Sequence, residues 1–406
     1  MSHVTGESVA FNLVRPEYAD HSLQKALSAG LISSRDVYLI QSFCAEIQAT
    51  NDISIPRVNK ITYTLVRLRL FVGEYEKNTI SDIHRAIPLI KNAKSDRDKE
   101  YKQNTIVDFI KILKQFYTWA IHNNYSTIEL EKLKAIKNPK KDAMTKCAAD
   151  LLTTDELSAF IKACISDRDR AFFMTLYEGG FRVGELGTLT WNKVKFDQYG
   201  AVVNVDFKTD KPRYIRLIMS QEYLAKWRSV YPGIPDGTNL VFLNKNRKPL
   251  SHAQVLKQIE RIRARAGIKK HITPHLFRHG RITDLVKEGM QESVVKQMMW
   301  GSVETRMFQT YLHLTGQDID NEVLRLYGIE TPAKIKEHKL SPRQCTHCQT
   351  INPPISDFCF RCGFQLTEEA DADMGTLKRI SEDNPMILLK LAQQRVADKE
   401  KPGSLA

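Results

Sequence analysis

The stretch YEGGFRVGELGTLTWNKV, residues 177–194, decides how this chain is read. A helical pattern beginning near Asp169 runs into it and stops at Gly179-Gly180, where paired glycines break the apolar period. Beyond the break, Arg182 and Glu185 stand three residues apart, about one helical turn. That spacing fits a surface ion pair, and it equally fits a carboxylate that orients a working guanidinium or the later His275. Two stretches downstream carry further reactive side chains: TPHLFRH, 273–279, with His275 and Arg278 one turn apart, and QTYLHLTGQDID, 309–320, with Tyr311 and His313. Taken singly, each has an ordinary reading as an exposed arginine, a helix face or a core aromatic.

In this order and spacing the three stretches resemble the signatures of the tyrosine recombinase (phage integrase) family. Arg182, Glu185, Leu186, Leu189 and Trp191 fall in the first signature, His275-x-x-Arg278-His279 after Thr273-Pro274 in the second, and Tyr311-x-His313 in the third. The resemblance implies a catalytic domain over 151–330, mixed α/β, mainly helical with a small antiparallel sheet. It makes Tyr311 the nucleophile, with Arg182, His275 and Arg278 as phosphate-activating partners and Glu185 supporting them from behind. The family's general acid is a lysine at a β-hairpin turn, and KTDKPR, 208–213, resembles that turn. Lys208 is assigned the role; because the usual glycines are missing, Lys211 is the alternative. Before the nucleophile the family carries His or Trp directly after Gly, whereas this chain reads Trp300-Gly301-Ser302. Trp300 is assigned that sixth position, and an ungapped match would put Ser302 there.

These residue types suit the chemistry. Attack on a phosphodiester places extra negative charge on the non-bridging oxygens, which two guanidinium groups bind bidentately without losing their own charge. A phenol with a pKa near ~10 is rarely ionised at neutral pH, so a positive pocket or a base must favour its deprotonation. His275 suits the proton handling, and the 5′-oxygen needs an acid as it leaves. The implied activity is a site-specific DNA recombinase or integrase that cleaves and rejoins strands through a 3′-phosphotyrosyl bond. That bond stores the energy of the broken phosphodiester, so neither ATP nor another nucleotide nor a catalytic metal is expected. Double-stranded DNA with a specific target site is the implied partner, with self-association to a tetramer on it. Type IB topoisomerase-like relaxation and a non-catalytic DNA-binding protein are the alternatives.

Working outward, residues 35–136 carry apolar side chains at helical spacing: Val37, Ile40, Phe43, Ile47; Ile61, Leu65, Leu68, Val72; then Ile106, Phe109, Leu113, Phe116 and Ala120. A small all-α bundle is predicted, with KNAKSDRDKEYK, 91–102, as a solvated turn. The resemblance makes residues 1–140 a core-binding domain that clamps DNA. The run KLKAIKNPKKDAMTK, 132–146, has six Lys and little apolar patterning, so it reads as linker, with the boundary itself at 141–150. The next domain opens near Leu152, where Thr154-Asp155-Glu156 precedes a helix through Leu157, Phe160 and Ile161. β-Branched alternation over 201–218, interrupted by Thr-Asp-Lys-Pro, predicts a hairpin, and helical patterns resume from Ala253 to Tyr327.

Four of seven cysteines, Cys345, Cys348, Cys359 and Cys362, form two Cys-x-x-Cys pairs ten residues apart, the spacing of a closed four-thiolate zinc site. Such a zinc is structural. Residues 340–368 therefore read as a zinc ribbon, followed by a tail, 369–406, with a helix candidate at Met386–Val396. A zinc ribbon after a recombinase core resembles archaeal-type integrases. Cys44, Cys147 and Cys164 stand alone and read as inert. The formal net charge of +13 points to a polyanionic partner, and eight Lys or Arg against one Glu over 255–281 suggest a DNA-facing surface. No apolar run reaches the ~20 residues that span a bilayer, and no secretory signal opens the chain, so a cytoplasmic location without membrane attachment is expected.

Overall fold

In the computed structural model the described residues are 11, 14–95, 98–142, 151–205, 212–305, 307–308, 342–368, 370 and 372. The chain divides into two units, Asn12–Thr145 and a second made of Met1–Phe11 with Lys146–Ala406.

The first unit is helical because its apolar stripes find partners and several of its starts are capped. Its helices are α1 (Glu17–Ser28), α2 (Ser34–Asn51), α3 (Ile55–Leu68), α4 (Ile80–Lys91), α5 (Gln103–His122) and α6 (Leu130–Ala135). Ser33 with Asp36 and Thr79 with Asp82 close capping boxes on α2 and α4, each satisfying two backbone N–H groups that the helix leaves orphaned. All the residues whose spacing predicted these helices are buried. Aromatic rings tie α2 to α5, with Phe43 5.4 Å from both Phe116 and Trp119. Asp36 is 1% exposed and accepts hydrogen bonds from the Ser33 and Tyr75 amides and from Arg69 Nε at 2.8 Å. The lysine-rich run departs from its linker reading at its start, where α6 buries Leu133 and Lys114 of α5 donates to the carbonyl of Lys134. Alternation of Lys with apolar residues over one helical turn hides a packed face that composition alone does not show. Residues 143–150, most of the expected boundary, lie outside the described residues.

In the second unit Thr153 and Glu156 form the capping box of α7 (Thr154–Lys162), one residue earlier than the cap expected from the sequence. Then come α8 (Asp167–Glu178), α9 (Val183–Gly187), and a sheet of β1 (Val194–Asp197), β2 (Gly200–Val205) and β3 (Arg213–Leu217), antiparallel in that order. The hairpin is the predicted one. β1 is an addition, four residues long and preceded by a turn at Trp191–Lys193, too short to show alternation. The helices α10 (Gln221–Ser229), α11 (His252–Arg265), α12 (Pro274–Lys287) and α13 (Glu292–Trp300) complete the main body.

Its core is aromatic: Phe160, Phe173 and Phe277 pack at ring distances of 5.1–5.7 Å. A satellite cluster of Ile282, Leu285, Val295, Met299 and Phe308 joins α12 to α13. Phe11 belongs to this unit; it is 6% exposed, packs edge-on to His252 at 6.1 Å and lies against Gly187. Near the C-terminal end, β4 (Arg343–Gln344) pairs with β5 (Ile351–Asn352), and Ile355 packs on the core. The tail helix candidate lies outside the described residues, and no described helix is long and apolar enough to cross a membrane.

Candidate active site

The site is assembled at the C-terminal end of α8. Gly180 follows that helix with φ +55°, a left-handed conformation that swings the chain so that Arg182 becomes the N-cap of α9. Glu185, at the third position of α9, accepts from the Arg182 amide at 2.7 Å and from Arg182 Nη1 at 2.8 Å. Glu185 is fully buried, while the Arg182 side chain keeps 37% exposure. The carboxylate therefore fixes the arginine from behind, and the guanidinium still faces solvent.

Pro274 at the first turn of α12 and Thr273 before it start that helix, and His275 and Arg278 follow on it. Arg278 is 3% exposed; it donates to the carbonyl of Gly180 and, through Nη2, to that of Met299 at 2.6 Å. Its guanidinium lies 5.3 Å from the centre of the Trp300 ring. His275 packs edge-on to His279 at 4.8 Å. Burial, then the charges of Arg278 and Arg182, hold the His275 imidazole below its ordinary pKa. At neutral pH it is an uncharged ring beside two permanent cations, able to accept a proton.

The structure thus brings Arg182, Glu185, His275, Arg278 and Trp300 to one place. Ser302 follows Trp300 past Gly301, which caps α13 with φ +68°. Lys208, Lys211 and Tyr311 lie outside the described residues, although the strands on either side of 206–211 are in register, Val205 opposite Arg213.

One residue at this place had no role in the sequence reading. Arg213, 3% exposed at the start of β3, pairs with Glu185 Oε2 and donates through Nη1 to the carbonyls of Met298 at 3.1 Å and Met299 at 2.9 Å. Its sequence signal is its place as the last residue of KTDKPR, 208–213, the stretch that resembles the family's hairpin turn. Behind the site, the buried Glu178 carboxylate accepts from the amides of Ile218, Met219 and Ser220 and from the Ser220 hydroxyl at 2.6–2.8 Å. That network ties α8 to the start of α10 through neutral donors.

The four cysteines near the C-terminal end form a separate cluster, their sulfurs within 4.8 Å of one another. Cys345 and Cys362 sulfurs are 3.6 Å apart, and those of Cys348 and Cys359 3.5 Å. Sulfurs about 2.3 Å from a shared tetrahedral ion stand roughly 3.8 Å apart, so the cluster is capable of coordinating a metal. Two matching turns build it. The Gln349 amide returns to the Cys345 carbonyl, and the Gly363 amide to that of Cys359, with φ +60° and +74° at those two residues.

A mainly helical unit with a small antiparallel sheet carries two arginines and a histidine that converge beside its hairpin. Residues 150–318 match the phage integrase family, and the chain is homologous to that family of tyrosine recombinases. Tyrosine recombinase XerD of Staphylococcus aureus is 28% identical over 291 residues, covering 69% of this chain and 95% of that protein. Transposase A from transposon Tn554 of Staphylococcus aureus strain Mu50 is 30% identical over 201 residues, 46% of this chain and 55% of the transposase. Among solved structures, the Tn1549 transposon integrase in complex with transposon right end DNA aligns over 71% of this chain and 99% of its own, with TM-score 0.54 and 18% identity. Lambda integrase bound to DNA aligns over 68% and 97%, with TM-score 0.52 and 16% identity. Those two likenesses are of fold.

Proposed function

We propose that the protein is a site-specific DNA recombinase in which Tyr311 attacks a phosphodiester activated by Arg182, His275 and Arg278. The observation that carries this reading is a continuous set of charge-assisted hydrogen bonds. Met299 carbonyl receives both Arg278 and Arg213, Arg213 holds Glu185, and Glu185 holds Arg182. Two guanidinium groups fixed in this way need no reorganisation when charge develops on a phosphate, which is how a preformed electrostatic site lowers a barrier. His275, kept neutral, accepts a hydrogen bond or a proton at the reacting centre. Trp300 supports Arg278 with its ring face, and Lys208 protonates the departing 5′-oxygen. The resulting 3′-phosphotyrosyl bond conserves the energy for rejoining, so the cycle draws on no nucleotide.

Double-stranded DNA is the substrate. The formal charge of +13 favours it, and the similar structures of the Tn1549 and lambda integrases hold DNA. Strand exchange between two duplexes requires several active sites, hence a tetramer on DNA. The cysteine cluster takes zinc through Cys345, Cys348, Cys359 and Cys362; four thiolates leave no open position, so the metal supports folding and supplies no catalysis.

A nicked suicide duplex carrying the target site tests the chemistry. Wild-type protein is expected to become covalently joined to the 3′ end, and Tyr311→Phe to leave the DNA free. Equal absence of adduct would favour a silent binder. Relaxation of supercoils without exchange between duplexes would favour the topoisomerase-like alternative.

A further inference from the structure

Polar contacts from three positions of α12, each three residues after the last, fasten that helix to the end of α8. Arg278 donates to the Gly180 carbonyl, Arg281 Nε to the Glu178 carbonyl at 3.2 Å, and the Tyr177 hydroxyl to Asp284 Oδ2 at 2.6 Å. Residues at this spacing lie on one face of α12, and their partners step backward from Gly180 to Tyr177. Gly280 brings the two elements close, since a Cβ there would stand 3.8 Å from the Tyr177 ring. We propose that Tyr177 and Asp284 are positioning residues: their hydrogen bond sets the register of α12 against the end of α8, and so the separation of His275 and Arg278 from Arg182. The consequence for cleavage rests on the phosphate-activating roles given to those three residues; the register itself does not.

Apolar packing alone leaves that register soft. Phe173 of α8 and Phe277 of α12 stack at 5.7 Å, and the attraction between such surfaces is non-directional, so it changes little over a small slide. A hydrogen bond weakens steeply once its geometry is lost. Tyr177 is 3% exposed, so a hydroxyl without its acceptor would carry a desolvation penalty. Asp284 occupies its place against the preference of a carboxylate. Burial raises its pKa, opposed by the Tyr177 hydroxyl and then by Lys287 and Arg281. An apolar side chain would fill the same space without that penalty, so the carboxylate contributes direction where bulk would suffice for packing. Arg182 follows two residues after Gly180, whereas His275 and Arg278 both ride on α12. A slide of one helix along the other therefore changes the distance from Arg182 to His275 and leaves that from Arg278 to His275 as it was.

That asymmetry supplies the test. NMR titration of the full chain reads the His275 midpoint in folded molecules, whatever fraction of a variant unfolds. Tyr177→Phe removes the hydroxyl and no charge at neutral pH, Asp284→Ala removes the acceptor, and Asp284→Asn keeps an acceptor oxygen at the same reach. Tyr177→Phe and Asp284→Ala are expected to raise the His275 midpoint, by less than Arg182→Met does, because the Arg182 charge is no longer held close while Arg278 stays. Asp284→Asn should titrate with wild type. On a suicide duplex the first two variants should cleave roughly 100-fold slower, the scale of a misplacement of about 1 Å, and Asp284→Asn within about threefold of wild type. A midpoint that stays or falls in Tyr177→Phe, or moves as far in Asp284→Asn as in Asp284→Ala, would overturn the register role. Raised midpoints with unchanged cleavage would overturn its consequence for the chemistry. Raised midpoints in a protein whose wild type forms no adduct would instead overturn the functional reading and leave the register standing.

Discussion

Gly180→Ala should damage both the stability of the second unit and its chemistry, for reasons that can be apportioned. Gly180 has φ +55°, and a Cβ there would lie 2.5 Å from Met299 Sδ and 2.7 Å from Met299 Cε. The backbone cost for a non-glycine residue in the left-handed region is about 1–2 kcal/mol. Forcing a methyl group into a filled core adds about 1–3 kcal/mol. Met299 is flexible, but it is fully buried among Ile282, Leu285, Val295 and Phe308, so it cannot simply swing aside. The combined loss is about 2–5 kcal/mol, or roughly 4–20 °C in Tm for a unit of this size. Gly180 carbonyl also receives Arg278, and Met299 carbonyl receives both Arg278 and Arg213, so the strain passes directly to those two guanidinium groups. Misplacement by about 1 Å is enough to slow cleavage roughly 100-fold. Thermal unfolding and suicide-duplex cleavage measure the two effects. Gly267→Ala is the control: Gly267 has φ +68°, and a methyl group there would meet nothing within 4 Å, so only the backbone cost should remain. Equal destabilisation by the two substitutions would refute the contact argument, and unchanged cleavage by Gly180→Ala would refute its transmission to Arg278.

Burial and the Arg278 and Arg182 charges depress the His275 pKa, so between that lowered value and about 6.5 the unfolded chain holds a proton that the folded chain lacks. Stability from this group therefore falls as pH drops through about 6.5, and Arg182→Met should raise the His275 titration midpoint, read from its imidazole resonances by NMR; an unmoved midpoint would count against the proximity of the two groups. In the helical unit, burial raises the Asp36 pKa, but the Ser33 and Tyr75 amides and Arg69 outweigh it and hold the carboxyl below its ordinary range. Its contribution is present above that range and lost as pH falls through the lowered value; Asp36→Asn should cost about 3 kcal/mol in urea unfolding at neutral pH, and a change below ~0.5 kcal/mol would show the pairing to be incidental. Cys359→Ser should lower bound zinc, measured by native mass spectrometry, from about one ion per chain to near none, whereas full retention would remove this cysteine from the ligand set.

The sequence made some parts of this architecture visible and hid others for physical reasons. Arg182, His275 and Arg278 were legible because each sits in a short local pattern whose residue types and spacing survive without knowledge of the fold. Helices α2, α3 and α5 were legible because their apolar period is sustained over several turns. Arg213 was not, since its partners Glu185 and Met299 are 28 and 86 residues away and no local period encodes such a meeting. β1 was missed because four residues cannot establish alternation, and α6 because lysine stems disguise a one-turn apolar contact at Leu133. Lys208, Tyr311 and the tail rest on sequence alone.

Phe11 alters what a cut in the chain would do. The helical unit leaves the second unit after Phe11 and returns to it at Lys146, so it is an excursion between two attachments. The earlier attachment is a buried ring on Gly187 and His252, reinforced by the His252 amide donating to the Phe11 carbonyl at 3.2 Å. A protease nick within 143–150 would leave the Phe11 ring seated on Gly187 and His252 in the second unit. Phe11→Ala removes that ring from the core of the second unit, which should then unfold at a lower temperature.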